Sequence, residues 1–382
     1  MFGEVHEGDV LEVLRGTPDA TYHGCLTDPP YGLSFMGHGW DHGVPSADVW
    51  REVLRVMKPG AHLLAFGGTR TFHRLTCAIE DAGFEVRDVI AWMYGSGFPK
   101  SHNGPWGGTA LKPAYEPILV ARRPLEGTVA ANVQRWGCGG LAIDACRVGT
   151  AKRSPEFRAT LGKVEGPGSL SGVKTPRANV DASVGRWPAN VILDEEAGAA
   201  LDAQSGERPG MSGGGKHKPG SKGGMFGAID CTHTARNDSG GASRFFYCAK
   251  ASRAERNAGC GALPYRWEPG DEPRSNRSGE TRPIHGTNST SGNTTANRGN
   301  IHPTVKPLAL ARYLARLILP PVEGARLVVP FCGSGSEVIG AMQAGWSHVE
   351  GIDSWDVAVR IARARIAHHT ADHQLELARV GT

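Results

Sequence analysis

The sequence predicts an α/β protein: a Rossmann-like, largely parallel sheet with helices on both faces, interrupted by an irregular inserted region. Three observations lead there. Apolar runs of strand length alternate with segments of helical periodicity at both ends of the chain, the pattern of βαβ units. A glycine-containing turn, Phe331-Cys332-Gly333-Ser334-Gly335, joins a strand-like run to a helix-like one. Between the two ends the sequence becomes polar and rich in Gly and Ser.

The elements follow in order. Residues 24–27 are a short apolar strand that ends at Asp28. Val49, Val53, Leu54 and Met57 share one helical face, and Lys58-Pro59-Gly60 is expected to stop that helix. Ala61 to Phe66 reads as a buried strand closed by Gly67-Gly68, and Phe72 to Ala82 suits a helix. Val86 to Trp92 and Tyr115 to Ala121 suit strands, as do Asn190 to Leu193 and the apolar island Ser243 to Cys248. The stretches 205–227 and 269–300 are expected to be mobile loops. Leu310, Leu314, Leu317 and Ile318 define a helix face within 308–319, before Pro320-Pro321. Arg326 to Val329 is then a buried strand, Glu337 to Ala344 a helix, Val349 to Asp353 a strand and Trp355 to His368 the last helix.

A chain of 382 residues with 40% hydrophobic content can bury one large core plus a smaller appended region. No run approaches the roughly 20 apolar residues needed to cross a bilayer, and no apolar targeting segment opens the chain. A cytoplasmic protein without a membrane partner is therefore expected. The eight cysteines never form a CxxC pair, and Cys231, His233, Cys248 and Cys260 are poorly spaced for zinc. Reduced thiols and no metal follow. The net charge of +4 says little, but its distribution says more: residues 124–300 hold 23 Lys and Arg against 17 Asp and Glu. Basic charge gathers where a nucleic-acid-contacting insert needs it, although a solvated polar region gives the same count.

Two motifs carry the chemistry. Thr27-Asp28-Pro29-Pro30-Tyr31 is a compact set of acceptors with an aromatic plane, suited to gripping the exocyclic amino group of a base. The lone pair of such an amine is delocalised into its ring. The Asp28 carboxylate and the Pro29 carbonyl can accept both amino protons and favour the tetrahedral nitrogen that attacks. Pro29 and Pro30 fix φ and remove competing donors, although an ordinary turn after a strand uses the same residues. In the second motif, Gly333 and Gly335 permit backbone to approach a nucleoside cofactor, which Phe331 can flank. Asp353 stands where doubly wound folds place an acid on ribose hydroxyls, or else caps the following helix. Gly210 to Lys216 matches the spacing of a phosphate-cradling loop. However, His217 follows the lysine, no strand leads in and Pro219-Gly220 blocks a helix, so it reads as a flexible basic loop. No Pro-Cys pair offers the nucleophile that cytosine C5 methylation requires.

Together these motifs resemble those of the S-adenosylmethionine-dependent DNA amino-methyltransferases, which modify adenine N6 or cytosine N4. Tetrapeptide first, a variable middle and cofactor loop last is the order of that family's beta class. His302-Pro303-Thr304-Val305-Lys306-Pro307 is similar to the family's motif before the cofactor strand, and Gly8-Asp9 to its acidic position near the cofactor's adenine. The resemblance covers residues 1–123 and 301–382. It implies a catalytic half over 1–123, an inserted target-recognition region over 124–300 and a cofactor-binding half over 301–382.

From the resemblance, Asp28, Pro29, Pro30 and Tyr31 are expected to be catalytic. Asp9, Thr304, Lys306, Phe331, Gly333, Ser334, Gly335 and Asp353 are expected to hold S-adenosylmethionine. Arg135, Arg186, Arg244, Arg253 and Arg256 are candidates for contacts to double-stranded DNA. The implied reaction is base flipping and direct displacement at adenine N6, favoured over cytosine N4 because Asp heads the tetrapeptide where cytosine enzymes more often carry Ser. Many relatives form homodimers and some act beside a restriction endonuclease; neither partner leaves a mark that can be read here. Rival readings are a related amino-methyltransferase acting on RNA or protein glutamine, and a non-catalytic DNA-binding relative. Val329 suggests the last, because the family commonly has Asp before Pro-Phe, near the cofactor's amino group.

Overall fold

The computed structural model describes residues 2–33, 43–97, 103–149, 185–208, 239–249, 254–261, 263, 300, 302 and 305–380. Among them, nine strands hydrogen-bond into one sheet: β1 Phe2–Glu7, β2 Tyr22–Thr27, β3 Met57–Phe66, β4 Glu85–Met93, β5 Tyr115–Arg122, β6 Val191–Asp194, β7 Tyr247–Ala249, β8 Arg326–Pro330 and β9 His348–Asp353. Their order is β1-β9-β8-β2-β3-β5-β4-β6-β7. Strand β5 runs antiparallel to both β3 and β4, and every other neighbouring pair is parallel. Every residue of β2 is buried, as a central strand covered on both faces must be.

Alternation along the central strands sorts the helices. Cys25 and Leu63 point to one face, where they pack with α1 (Val10–Arg15), α2 (Ala47–Val56) and α3 (Phe72–Asp81). Leu26 and Leu64 point to the other, against α6 (Leu308–Leu317), α7 (Ser336–Ala344) and α8 (Asp356–Val380). Two further helices, α4 (Val129–Trp136) and α5 (Glu195–Ser205), belong to the middle of the chain. The doubly wound, largely parallel sheet with helices on both faces is as expected.

Several local readings need correction. Lys58-Pro59-Gly60 does not separate a helix from a strand, because α2 ends at Val56 and β3 already begins at Met57. The residues instead make an irregular start to β3: Gly60 adopts φ +77°, and the register with β2 shifts between Tyr22 and Gly24. Ser243 to Cys248 is only partly strand, since Ala242–Phe245 forms a 3-10 turn before β7. The last helix continues past His368 to Val380. The middle of the chain also joins the main sheet, β6 lying parallel to β4 and β7 to β6. The Gly210–Lys216 loop, Cys231 and nearly all of 205–227 and 269–300 lie outside the described residues. Among the described residues, no helix is long and apolar enough to cross a membrane.

Candidate active site

The sheet order fixes where a site can form. From β8 the chain passes through α7 to β9 on one side; from β2 it passes through α2 to β3 on the other. Winding therefore reverses between β8 and β2, and in open α/β sheets ligands bind in the crevice beyond the carboxyl ends at such a reversal. Both predicted motifs emerge here, Asp28 from the end of β2 and Phe331 from the end of β8. Cys25 is in register with Val328, and two residues on, Thr27 Oγ1 donates to the Pro330 carbonyl at 2.6 Å. A cavity of about 1220 Å³ opens at this point, lined by Asp28 to Tyr31 on one side and Phe331 to Ser334 and Asp353 on the other.

The cofactor-loop side is held from behind. Phe331 has φ +56°, an uncommon conformation for a bulky residue, and Gly333 has φ +49°. A Cβ on Gly333 would lie 2.9 Å from His302 Nε2, so that close approach requires glycine. The fully buried Arg365 clamps the turn, Nη1 donating to the Ser334 carbonyl at 2.6 Å and to the Ser334 and Ser336 hydroxyls at 3.1 Å. Asp353 Oδ2 accepts from Gly333 N at 2.8 Å, and Oδ1 accepts from Trp355 N at 2.9 Å. Burial raises the Asp353 carboxyl above its ordinary pKa, against those two backbone donors. Asp353 thus pins the loop and caps the following turn, and each oxygen keeps capacity for a second donor.

The tetrapeptide side is a buried ionic network. Lys306 Nζ donates to Glu116 Oε2 at 2.8 Å and to the Tyr31 hydroxyl at 3.0 Å, and lies 3.2 Å from Asp28 Oδ2. The Tyr31 hydroxyl is 2.7 Å from Asp28 Oδ1 and 3.1 Å from Glu116 Oε2. Burial alone would lower the Lys306 pKa; Asp28 and Glu116 override it and hold the ammonium above its ordinary value. Burial, with the charges of Asp28 and Glu116, likewise keeps the Tyr31 phenol protonated. Lysine, tyrosine and aspartate therefore fix one another's positions at the cavity wall.

Two acids here escaped the sequence reading. Glu116 sits at the start of β5, where one carboxylate just before the apolar run Pro117 to Ala121 was the available signal. Glu337, in the first turn of α7, is 4% exposed, lines the cavity and has an Oε1 with no hydrogen-bond partner among the described residues. Burial, and then the charge of Asp28, push its carboxyl up to about 7; a hydrogen bond from its own backbone N–H, then Lys306 and Arg365, oppose the shift. An acid opening a helix looks like an ordinary partner of the helix dipole, which concealed it.

The remaining predicted residues divide. Lys306, Ser334 and Arg256 line the cavity. Asp9 does not: its exposed carboxylate caps α1, Oδ1 accepting from Leu11 N at 2.9 Å and Glu12 N at 3.2 Å. Arg135 is exposed and paired with Glu126 at 2.7 Å. Arg186 is buried, with Nη1 on the Arg244 carbonyl at 3.2 Å, and Arg244 Nη1 donates to the Gly240 and Gly241 carbonyls. Those two guanidiniums are engaged with the protein's own backbone. Arg256 Nη2 donates to the His302 carbonyl at 2.8 Å. Thr304 and Arg253 lie outside the described residues. Val329 is fully buried in the sheet core.

Residues 22–363 match a family model described as DNA methylase, spanning most of the chain and both motifs. The type II methyltransferase M.HindIII of Haemophilus influenzae is 26% identical over 107 residues; that match takes in 23% of this chain and 35% of the relative's length. Among solved structures, the cytosine-N4-specific PvuII DNA methyltransferase aligns over 96% of this chain and 86% of its own, at 12% identity and a TM-score of 0.46. TTHA0409 of Thermus thermophilus, solved with S-adenosyl-L-methionine, aligns over 96% and 94% at 15% identity and a TM-score of 0.42. The family match rests on neither of these distant likenesses, and on its extent the chain belongs to the N6/N4 DNA methylase family.

Proposed function

We propose that the chain transfers a methyl group from S-adenosylmethionine to the exocyclic amino group of a base flipped out of duplex DNA, adenine N6 being favoured over cytosine N4. The observation that carries this reading is the meeting of the Asp28 and Gly333 turns at one cavity. The residues fit the cofactor: Asp353 retains acceptor capacity on the cavity wall, and Glu337 has an acceptor without a donor among the described residues. When bound, the cofactor supplies an electrophilic methyl group on a sulfonium.

The chain supplies the rest. An incoming amino group takes over an Asp28 oxygen now contacted by Tyr31 or Lys306, and donates its second proton to the Pro29 carbonyl. That geometry frees the nitrogen lone pair for in-line attack, and Asp28 is placed to receive the proton the nitrogen then loses. Orientation of this kind is worth up to roughly 7–11 kcal/mol. Stacking on Tyr31 returns about 1–3 kcal/mol against the few kcal/mol that extrusion costs. Lys306 holds Tyr31 and Glu116 in place while Asp28 changes partner. Arg70 and Lys112, exposed at the cavity rim, offer cations to the DNA backbone.

Mass spectrometry of nucleosides from duplex DNA treated with protein and cofactor tests the reading. N6-methyladenine is expected, and N4-methylcytosine alone would overturn the choice of base. Asp28→Ala should lower turnover by at least about 10²-fold, the scale for losing one positioned transition-state partner, with cofactor binding unchanged. Wild-type turnover in that variant removes Asp28 from the mechanism.

A further inference from the structure

Around Lys306 the cavity wall gathers three acids, Asp28, Glu116 and Glu337. Asp28 and Glu116 both contact the Lys306 ammonium, and Glu337 lies within the field of Asp28 and Lys306. Lys306 has three N–H donors, and Asp28, Glu116 and Tyr31 take them. Arg365 also acts on Glu337, but its Nη1 is committed to Ser334 and Ser336, its Nη2 donates to the Glu255 carbonyl, and its Nε makes no hydrogen bond to Glu337. Among the described residues, Glu337 Oε1 is left buried without a donor, an arrangement that is costly unless a ligand completes it. A completing ligand must bring positive charge and an N–H together. A sulfonium brings only the charge; an ammonium brings both.

We propose that Glu337 binds the α-ammonium of the methionyl end of S-adenosylmethionine, supplying from the first turn of α7 the carboxylate that Val329 lacks, an inference that rests on the methyl-transfer reading above. Glu337 suits this task by position as well as charge. It follows the Gly333–Gly335 turn by two residues and shares the cavity with both Asp28 and Asp353. A donor held there has its amino-acid end against α7 and its adenosyl end towards β9.

Titration calorimetry with three ligands separates the outcomes. S-adenosylmethionine carries sulfonium and ammonium, S-adenosylhomocysteine keeps only the ammonium, and 5′-methylthioadenosine has neither. Glu337→Gln should weaken the first two alike, by about 30-fold or more, the scale for truncating one member of a buried charged hydrogen bond. Binding of 5′-methylthioadenosine should be unchanged. Glu337→Met, which fills the space without a polar group, should repeat that pattern and melt at or above the wild-type temperature without ligand. A loss confined to S-adenosylmethionine, an equal loss for all three ligands, or no loss overturns the proposal. Wild-type protein that binds none of the three instead sinks the methyl-transfer reading on which it stands.

Discussion

Lys306 decides the electrostatics of the site, because it is the ammonium that Asp28, Glu116 and the Tyr31 hydroxyl all touch. Replacing it by Met leaves Asp28 and Glu116 without the ammonium they share. Removing one partner of a buried pair typically costs about 3–5 kcal/mol. Lys306→Met should therefore lose stability on that scale, and Glu116→Gln in the same chain should restore part of it. A double-mutant cycle by urea denaturation checks this, and strict additivity would mean that the two groups do not interact. Only part of this arrangement was legible in sequence. Asp28, Tyr31 and Gly333 stand in contiguous motifs whose spacing states their chemistry. Glu116 meets Lys306 across 190 residues, and no local pattern announces such a contact.

The central strands carry a separate titration. His23 on β2 and His62 on β3 are buried, and both are pushed down to about 4, by burial first and then by neighbouring cations. Lys58 and Arg326 act on His23; Arg122 and Arg87 act on His62. In the unfolded chain each imidazole titrates near its ordinary 6.5, so below that pH the unfolded state binds protons that the folded state refuses. Their contribution is complete above 6.5 and is lost as pH falls towards 4, at about 1.4 kcal/mol per pH unit for each histidine. Glu337 works the other way, being protonated in the folded chain up to about 7, so the informative quantity is a difference between variants. His62→Gln should flatten the fall in stability between pH 6.5 and 5 by one proton, measured from urea midpoints. An unchanged slope would mean that His62 is already charged in the folded chain. Elements as well as residues differed in legibility. The long apolar strands stood out, whereas β1 and α1 are six residues each, too short for either periodicity to register. At β3, Pro59 and Gly60 mimic a break because turn chemistry and an irregular strand start use the same residues.

At the scale of the whole molecule, the two ends of the chain interleave. The order β1-β9-β8-β2 places two C-terminal strands between two N-terminal ones, and β8 contributes to the same buried cluster as Leu26 and Leu64. Neither end can complete the sheet around the crevice alone. Motif order along the chain could suggest a shared pocket, but strand order depends on long-range pairing that leaves no periodic trace. A ligand seated at the β8–β2 reversal should consequently stabilise the sheet as a unit. Cofactor at a hundred times its Kd adds about 2.7 kcal/mol to a protein that binds it only when folded. Hydrogen exchange should then slow together in peptides from β2 and β3 and in those from β8 and β9, among amides that exchange through global opening. Slowing confined to β8 and β9 would mean that the two ends open independently. In that case Asp28 and Gly333 are not held in one cooperative frame, and direct transfer between their turns loses its structural basis.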